Sequence, residues 1–486
     1  MLAGLALVLS VASGWFVVRL ILARQVLGSW WQKLFVEGAM SVGIGASLTS
    51  LLYFLLLIAG IATFWSSLLF LVLLSATLGY FVSRRRSAAS KPNEPRPDSN
   101  PWMWVVRLAF LSVIVLVAVE MVGAYTAEPH GWWDAFSIWN LRARFLASGV
   151  PGWSGAFSED LNAGFTGASH PGYPLLLPGW IACVWMASGG TGAWVPAVVG
   201  ALFCFATLFL LAGAVGTMQG ELAGLLAALV LAASSSFVAQ SAWQIADVPL
   251  GFFLLGGTAM VALAQRGSNG AALLAGLLAG FAPWAKNEGW PFLLTLVPIA
   301  FWLGGRRTGL LVTLGALPGV ATTLLFKLVA VRGSEAAFPQ STGEILTRLS
   351  DPARWATVAS SFARAFVAMG PLWGHPIVLL IVLAFAFRMA PKHIRILSLA
   401  IPAVAVMVSS FAVLLVTRAD LAWQTSTSVH RLVVQSWPAL LFAVFMTLRP
   451  PVEPLAVSSG AGAPPDPGGR KKQKQPRSKR SGGRST

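Results

Sequence analysis

DVPLGFFLLGGTAMVALAQRGSNGAALLAGLLAGFAPWAKNEG, residues 247–289, holds two apolar runs, 247–264 and 269–285, and only four charges: Asp247, Arg266, Lys286 and Glu288. A helix needs about 20 apolar residues to cross the hydrocarbon of a bilayer. Backbone polar groups cannot go unpaired in lipid, and these runs lack the short alternation of a barrel, so both are read as membrane helices. Comparable runs lie outward of them at 2–22, 40–60, 62–82, 103–123, 195–217 and 221–239, then at 290–304, 308–328, 366–387, 396–416 and 431–448. The expected fold is an all-α, polytopic transmembrane protein of about 13 spans with extracytoplasmic loops.

Composition supports this. Charged residues make up 10% of the 486, where a soluble domain carries about a quarter. A soluble protein is therefore excluded. Because the apolar runs recur from Leu2 to Leu448, a single cleaved signal peptide is excluded too. The net charge of +17 is not a nucleic-acid signal: eight of the 34 Lys and Arg fall between Arg470 and Arg484, and most others sit in short loops. No specific nucleic-acid partner is expected. The Pro/Gly-rich and then basic tail, 450–486, is expected to be disordered and to contact anionic lipid heads. Cys183 and Cys204 stand in apolar surroundings and read as small buried hydrophobes.

Loop charge orients the helices. Arg84, Arg85 and Arg86, then Arg306 and Arg307, the cluster from Arg388 to Arg395 and the tail mark the cytoplasmic side. The N-terminus is then expected outside and the C-terminus in the cytoplasm. Residues 124–172 and 329–365 become large outer loops, with a short one at 417–430. Asp247 and Lys286 share that outer face provided 173–188 does not cross. That stretch opens on Tyr173-Pro174, carries Pro178 and ends in Ser188-Gly189-Gly190, which suits an interfacial or partly inserted helix. No internal repeat is evident, which counts against the inverted-repeat transporters. The expected organisation is an N-terminal three-helix segment (1–86), a cytoplasmic linker (87–101), a membrane core (102–449) and the tail (450–486).

In so apolar a chain each ionisable group needs an explanation. Asp134, in Trp132-Trp133-Asp134-Ala135-Phe136, follows a membrane helix and could take a proton from a sugar hydroxyl. A helix cap in an aromatic belt is the alternative. Glu159 and Asp160 offer a second carboxylate site or a wetted turn. His170 sits in Ser169-His170-Pro171-Gly172-Tyr173-Pro174, whose prolines fix a rigid helix entry, and it could relay a proton or bind phosphate. Asp247-Val248-Pro249 reads first as a capped helix start. Lys286 and Glu288 stand two apart between apolar runs; the lysine could hold a phosphate or snorkel to the interface. Arg431 and Gln435 lie four apart on one helix face. Arg431 is placed where the positive-inside rule predicts few cations, so it needs an anionic partner: a phosphate, or Asp420 or Glu344 in a structural role.

These motifs, in this order over residues 103–448, resemble the polytopic GT-C glycosyltransferase superfamily. The likeness is to its bacterial branch, related to protein mannosyltransferases and aminoarabinose-lipid transferases. The likeness rests on Trp133-Asp134-Ala135, the His170 to Pro174 element, Asp247 to Leu250, Lys286 to Gly289, and Thr427 to Gln435. Two departures stand out. Gly172 occupies a position that is often acidic, and the usual acidic pair is a single Asp134, which leaves the second acidic role to Glu159 or Asp160.

The resemblance implies a multi-pass enzyme of the bacterial cytoplasmic membrane, acting in the cell envelope. It would transfer a sugar from a polyprenyl-phosphate-linked donor to a glycan, lipid or protein acceptor on the outer face. Asp134 would be the general base or orienting group, with Glu159 or Asp160 as the second acid. Lys286 and Arg431 would stabilise the departing lipid phosphate, and His170, Tyr173, Asp247, Glu288 and Gln435 would line the pocket. Some relatives use a divalent metal held by acidic loop residues. The sequence shows no metal cluster, and charge stabilisation by Lys286 and Arg431 could stand in its place. Rival readings are a transporter or flippase of lipid-linked glycans, a surface-polysaccharide ligase or polymerase, and an assembly protein acting through its basic tail.

Overall fold

Each long apolar run satisfies its backbone hydrogen bonds within itself as a helix, and the breaks fall at Gly, Pro and Ser. A computed structural model of the chain describes residues 1–22, 29–84, 102–150, 152–158, 170–331, 341–371, 374–389 and 396–449. In chain order the helices begin with α1 (Leu2–Leu22), α2 (Trp30–Ile58), α3 (Phe64–Arg84), α4 (Met103–Ala127), α5 (Asn140–Ala147) and α6 (Leu176–Ser188). Then come α7 (Trp194–Gln219), α8 (Glu221–Ala232), α9 (Ser235–Ala242), α10 (Asp247–Ala264), α11 (Asn269–Ala285) and α12 (Gly289–Val329). The last are α13 (Thr342–Leu349), α14 (Pro352–Val367), α15 (Pro376–Ala386), α16 (Ile401–Val416) and α17 (Leu421–Thr447). A two-residue antiparallel pair, β1 (Arg388–Met389) and β2 (Leu448–Arg449), ties the ends of α15 and α17 together.

Among the described residues nine helices are long and apolar enough to cross a membrane, or ten if α8 and α9 form one span bent by 68° at Ala233 and Ser234. The chain is thus an all-α, multi-spanning membrane protein, with fewer candidate spans than the thirteen expected. The stretches 290–304 and 308–328 are two arms of one 41-residue element, α12, turned at Gly305 (φ 74°, ψ −176°), a conformation open to glycine. α11 has 17 residues, and the expected span 366–387 is broken, α15 being only 11 residues long. α6, with 13 residues, reaches about 20 Å, short of the roughly 30 Å hydrocarbon core.

The break between α14 and α15 meets the break between α8 and α9. The Ser235 hydroxyl and Ser236 amide donate to the Met369 carbonyl at 3.2 and 3.4 Å, and the Ser236 hydroxyl to that of Ala368 at 3.3 Å. Backbone freed from one helix is thereby paired by residues of the other.

Small residues allow α11 and the second arm of α12 to meet closely. A Cβ added at Gly276 would lie 2.0 Å from the Val312 carbonyl oxygen, and one at Gly280 2.3 Å from that of Ala316. From the other side, Gly315 meets Leu273 and Gly319 meets Gly280. Both pairs are spaced as G-x-x-x-G, the pattern that lets backbones approach in lipid. The clash at Gly280 is with backbone, so Gly280→Val is expected to destabilise by the upper end of the about 1–3 kcal/mol seen for overpacking. A drop in the thermal unfolding midpoint in detergent would report it; an unchanged midpoint would mean that α11 and the second arm of α12 do not meet.

The expected outer loop 329–365 contains α13 and α14, two amphipathic helices. Their arginines close the C-terminus of α16: Arg348 donates to Thr417 O at 2.6 Å, and Arg354 to Leu414 O at 3.1 Å, Thr417 O at 2.8 Å and also Leu415 O. Cations there satisfy carbonyls that a helix end leaves unpaired. Cys183 and Cys204 are buried and unbridged.

Candidate functional site

The loop after α4, the starts of α10 and α12, the end of α11 and the middle of α17 come together, and their charges meet there. Asp247 is at the centre. α10 opens with it, but the carboxylate is no cap for that helix. It takes Lys286 Nζ on Oδ1 at 2.9 Å and Arg431 Nη2 and Nε on Oδ2 at 3.1 and 3.3 Å, while Gln435 Nε2 also donates to Oδ1. Four donor nitrogens thus surround a side chain with no exposed surface, as a buried charge requires.

Each cation reaches a second carboxylate. Arg431 Nη1 contacts Asp134 Oδ2 at 2.6 Å, and Lys286 Nζ contacts Glu288 Oε1 at 3.0 Å. The result is a ladder of alternating sign, Asp134–Arg431–Asp247–Lys286–Glu288, with three carboxylates against two cations. Its middle is dry and its ends are wet: side-chain exposure is 24% at Asp134, 0% at Asp247 and 20% at Glu288. Gln435 joins from the helix turn after Arg431, as their spacing predicts. Its Oε1, with Asn287 Oδ1 and Glu288 Oε2, accepts no hydrogen bond from the described residues.

The local chain explains how Asp134 arrives there. Residues Ala135–Trp139 form a π-helical turn that leads into α5, and Asp134 makes no capping bond to it. The loop is pinned by Asn140, whose Nδ2 donates to His130 O at 3.1 Å and Gln244 Oε1 at 2.9 Å, and by Gln244, which donates to Pro129 O at 3.2 Å. Trp132 stacks on Trp243 at 4.5 Å, and Trp243 meets His430 edge-on. Trp132, Trp133 and Phe136 remain about half exposed, an aromatic rim of the kind found at membrane interfaces.

The His170 to Tyr173 turn is held by its carbonyls. Arg142 donates to His170 O and Tyr173 O, both at 2.7 Å; Asn287 donates to Gly172 O at 3.3 Å, and Lys327 to the same oxygen. The Gly172 main-chain oxygen thus meets two side-chain donors. The Tyr173 ring stacks on Trp139 (5.4 Å, 5°) on one hand and His170 (4.8 Å, 23°) on the other. Lys286 Nζ lies 5.9 Å from the Tyr173 ring centre, within cation–π range. His170 joins the ladder through Tyr173, with its own backbone at φ 41°.

Six residues singled out in the sequence, Asp134, Asp247, Lys286, Glu288, Arg431 and Gln435, are therefore brought together. Glu159 and Asp160 lie outside the described residues, as do the linker and the tail. The capping readings of Asp134 and Asp247 and the snorkelling reading of Lys286 are not what the structure has, and neither Asp420 nor Glu344 is the partner of Arg431. Asp420 caps α17 through the Trp423 amide at 2.7 Å, and Glu344 pairs with Arg348 at 3.0 Å and Arg418 at 2.9 Å. Asp420 precedes Arg431 by about 16 Å of helix, out of side-chain reach. Sequence reasoning missed Asn140, Arg142, Gln244 and Lys327. Their partners are mainly carbonyls, which leave no complementary charge to find.

Among the described residues no three His, Cys, Asp or Glu side chains are grouped to hold a metal ion. Asp134 and Asp247, the nearest candidates, are engaged by Arg431 and Lys286. Comparison of the chain with protein-family models, curated proteins and solved structures gives no match.

Proposed function

We propose that this chain is a membrane glycosyltransferase of the GT-C type, moving a sugar from a polyprenyl-phosphate-linked donor to an acceptor on the extracytoplasmic face. The observation that carries the reading is the 2.6 Å contact between Asp134 and Arg431. It puts a partly exposed carboxylate beside a cation that continues, through Asp247, to Lys286, buried among the apolar helices. A sugar–phosphate–lipid substrate needs these elements: a base in water, cations at the boundary and apolar helices below.

In the reaction the acceptor hydroxyl gives its proton to Asp134 while its oxygen attacks the anomeric carbon from the face opposite the phosphate. The bond from that carbon to the phosphate oxygen breaks, the electron pair stays on the phosphate, and the configuration inverts. Arg431 and Lys286 stabilise the charge growing on the departing polyprenyl phosphate. Arg266 follows the other end of α10, and Arg306 and Arg307 follow the Gly305 turn at the far end of the first arm of α12, which supports an outward-facing site by the positive-inside rule.

A second reading, a carrier of lipid-linked glycans, is favoured by one feature. The paired breaks at Ala233–Ser234 and Ala368–Met369 lie about 18 Å along α8 from its start, and discontinuous helices at bilayer depth are a transporter trait.

One assay separates them. Purified protein in liposomes is given labelled polyprenyl-phosphate hexose with glycan, lipid and peptide acceptors. Wild type is expected to form a new glycosidic bond, and Asp134→Asn to lose 10²- to 10⁴-fold in rate, the usual worth of a general base. Undiminished transfer in Asp134→Asn would remove Asp134 from the chemistry. Movement of the lipid-sugar across the bilayer with no new bond would establish the carrier.

A further inference from the structure

Both cations assigned to the lipid phosphate are already paired, each with two carboxylates, so an incoming phosphate has to displace one of them. Resting on the transferase reading above, we propose that it displaces Asp134 from Arg431, and that this exchange releases the base: the donor's own headgroup switches the site on.

The two carboxylates on Arg431 are not held alike. Asp247 is wholly buried and receives donors from Lys286, Gln435 and two nitrogens of Arg431. Pulling Arg431 from it would strand a charge where no water can reach. Asp134 keeps 24% of its side chain exposed, and its contact with Arg431 is Nη1 to Oδ2 at 2.6 Å. Water can take over that ion-pair contact, so of the two carboxylates on Arg431 Asp134 is the one that opens. The formal charge of the ladder, two cations against three carboxylates, works in the same direction. A phosphate arriving on top of a net negative ladder is repelled unless a carboxylate gives way.

The exchange also orders the steps. With Asp134 bound to Arg431, Oδ2 is engaged and the carboxylate is turned toward the helices. Once phosphate holds Nη1, Asp134 is free to turn to the acceptor hydroxyl and take its proton as the glycosidic bond forms. When polyprenyl phosphate leaves, Asp134 gives that proton to water and closes on Arg431 again. A donor-free site therefore keeps its base latched.

The test is a binding measurement in which removing a site residue strengthens the ligand. Polyprenyl phosphate without sugar is titrated onto the purified full chain in nanodiscs. Asp134→Asn, which removes the competitor and keeps the shape, is expected to bind about tenfold more tightly than wild type, and Asp134→Ala should move in the same direction. Glu128→Gln, which removes a carboxylate that belongs to the same loop but not to the ladder, should leave affinity within twofold.

Equal or weaker binding by both Asp134 variants would overturn the exchange, as would equal tightening by Glu128→Gln. Inorganic phosphate at the same concentration is the comparison ligand, and binding as tight as that of the lipid would overturn the assignment to a lipid-linked headgroup. If wild type and variants alike neither bind polyprenyl phosphate nor transfer sugar, the transferase reading fails. If wild type transfers while the Asp134 variants bind no better, the latch alone fails.

Discussion

Asp247→Asn is expected to remove about 3–5 kcal/mol of stability, the range for breaking one member of a buried ion pair. Asp247 has no exposed surface and separates Lys286 from Arg431. Without its charge, each cation keeps one carboxylate among the described residues, Glu288 for Lys286 and Asp134 for Arg431, and two cations face each other across a neutral amide. Net stabilities of proteins lie around 5–15 kcal/mol, so the loss should appear as a steep fall in the thermal midpoint and in folded yield from the membrane. The double variant Asp247→Asn with Lys286→Gln removes one stranded cation and should recover part of the loss. A single variant melting within a few degrees of wild type would show that Asp247 is not the pivot of the ladder.

The position of that pivot explains what the sequence made legible. Charges are rare in this chain, and a rare charge in lipid needs a partner. Asp134, Asp247, Lys286, Glu288 and Arg431 stood out as charges in apolar surroundings and as parts of ordered motifs. Who pairs with whom was not legible. Asp247 followed by Pro249 has the look of a helix cap, and only the packing of α10 on α17 turns it to Arg431. Arg431 had nearer acids in sequence, but helix rise put Asp420 out of reach.

Polar residues whose partners are carbonyls left no trace at all. Arg142 holds the His170 to Tyr173 turn through two main-chain oxygens, and Lys327 bonds the Gly172 carbonyl from the far arm of α12. Hydropathy located most helices but not their breaks. The run 366–387 reads as one span, whereas Gly370, Pro371 and Pro376 divide it, and the freed backbone is paired by the serines after α8. Such a break depends on a second break elsewhere in the chain, which a local window does not see.

Arg431→Lys is expected to lower transfer by 10²- to 10³-fold, the cost of removing one donor aimed at developing charge, about 2.7–4 kcal/mol of transition-state stabilisation. The charge is kept, so stability should fall by much less than in Asp247→Asn. Geometry is what lysine lacks. Arg431 presents three nitrogens in one plane, Nη1 to Asp134 at 2.6 Å and Nη2 and Nε to Asp247 at 3.1 and 3.3 Å. An ammonium group is a point charge without that fork. If it stays with buried Asp247 it abandons the phosphate; if it reaches outward it leaves Asp247 half paired. The expected result is a fall in kcat larger than any rise in KM for the lipid donor, because the donor headgroup still meets a cation while the departing phosphate loses its aligned donor. Retention of a third or more of the wild-type rate would mean that Arg431 serves only as an ion-pair clamp. Equal losses of rate and melting temperature would say the same. A lysine that melts like wild type but turns over slowly would place Arg431 on the phosphate, because a clamp needs charge alone whereas a leaving group needs the fork.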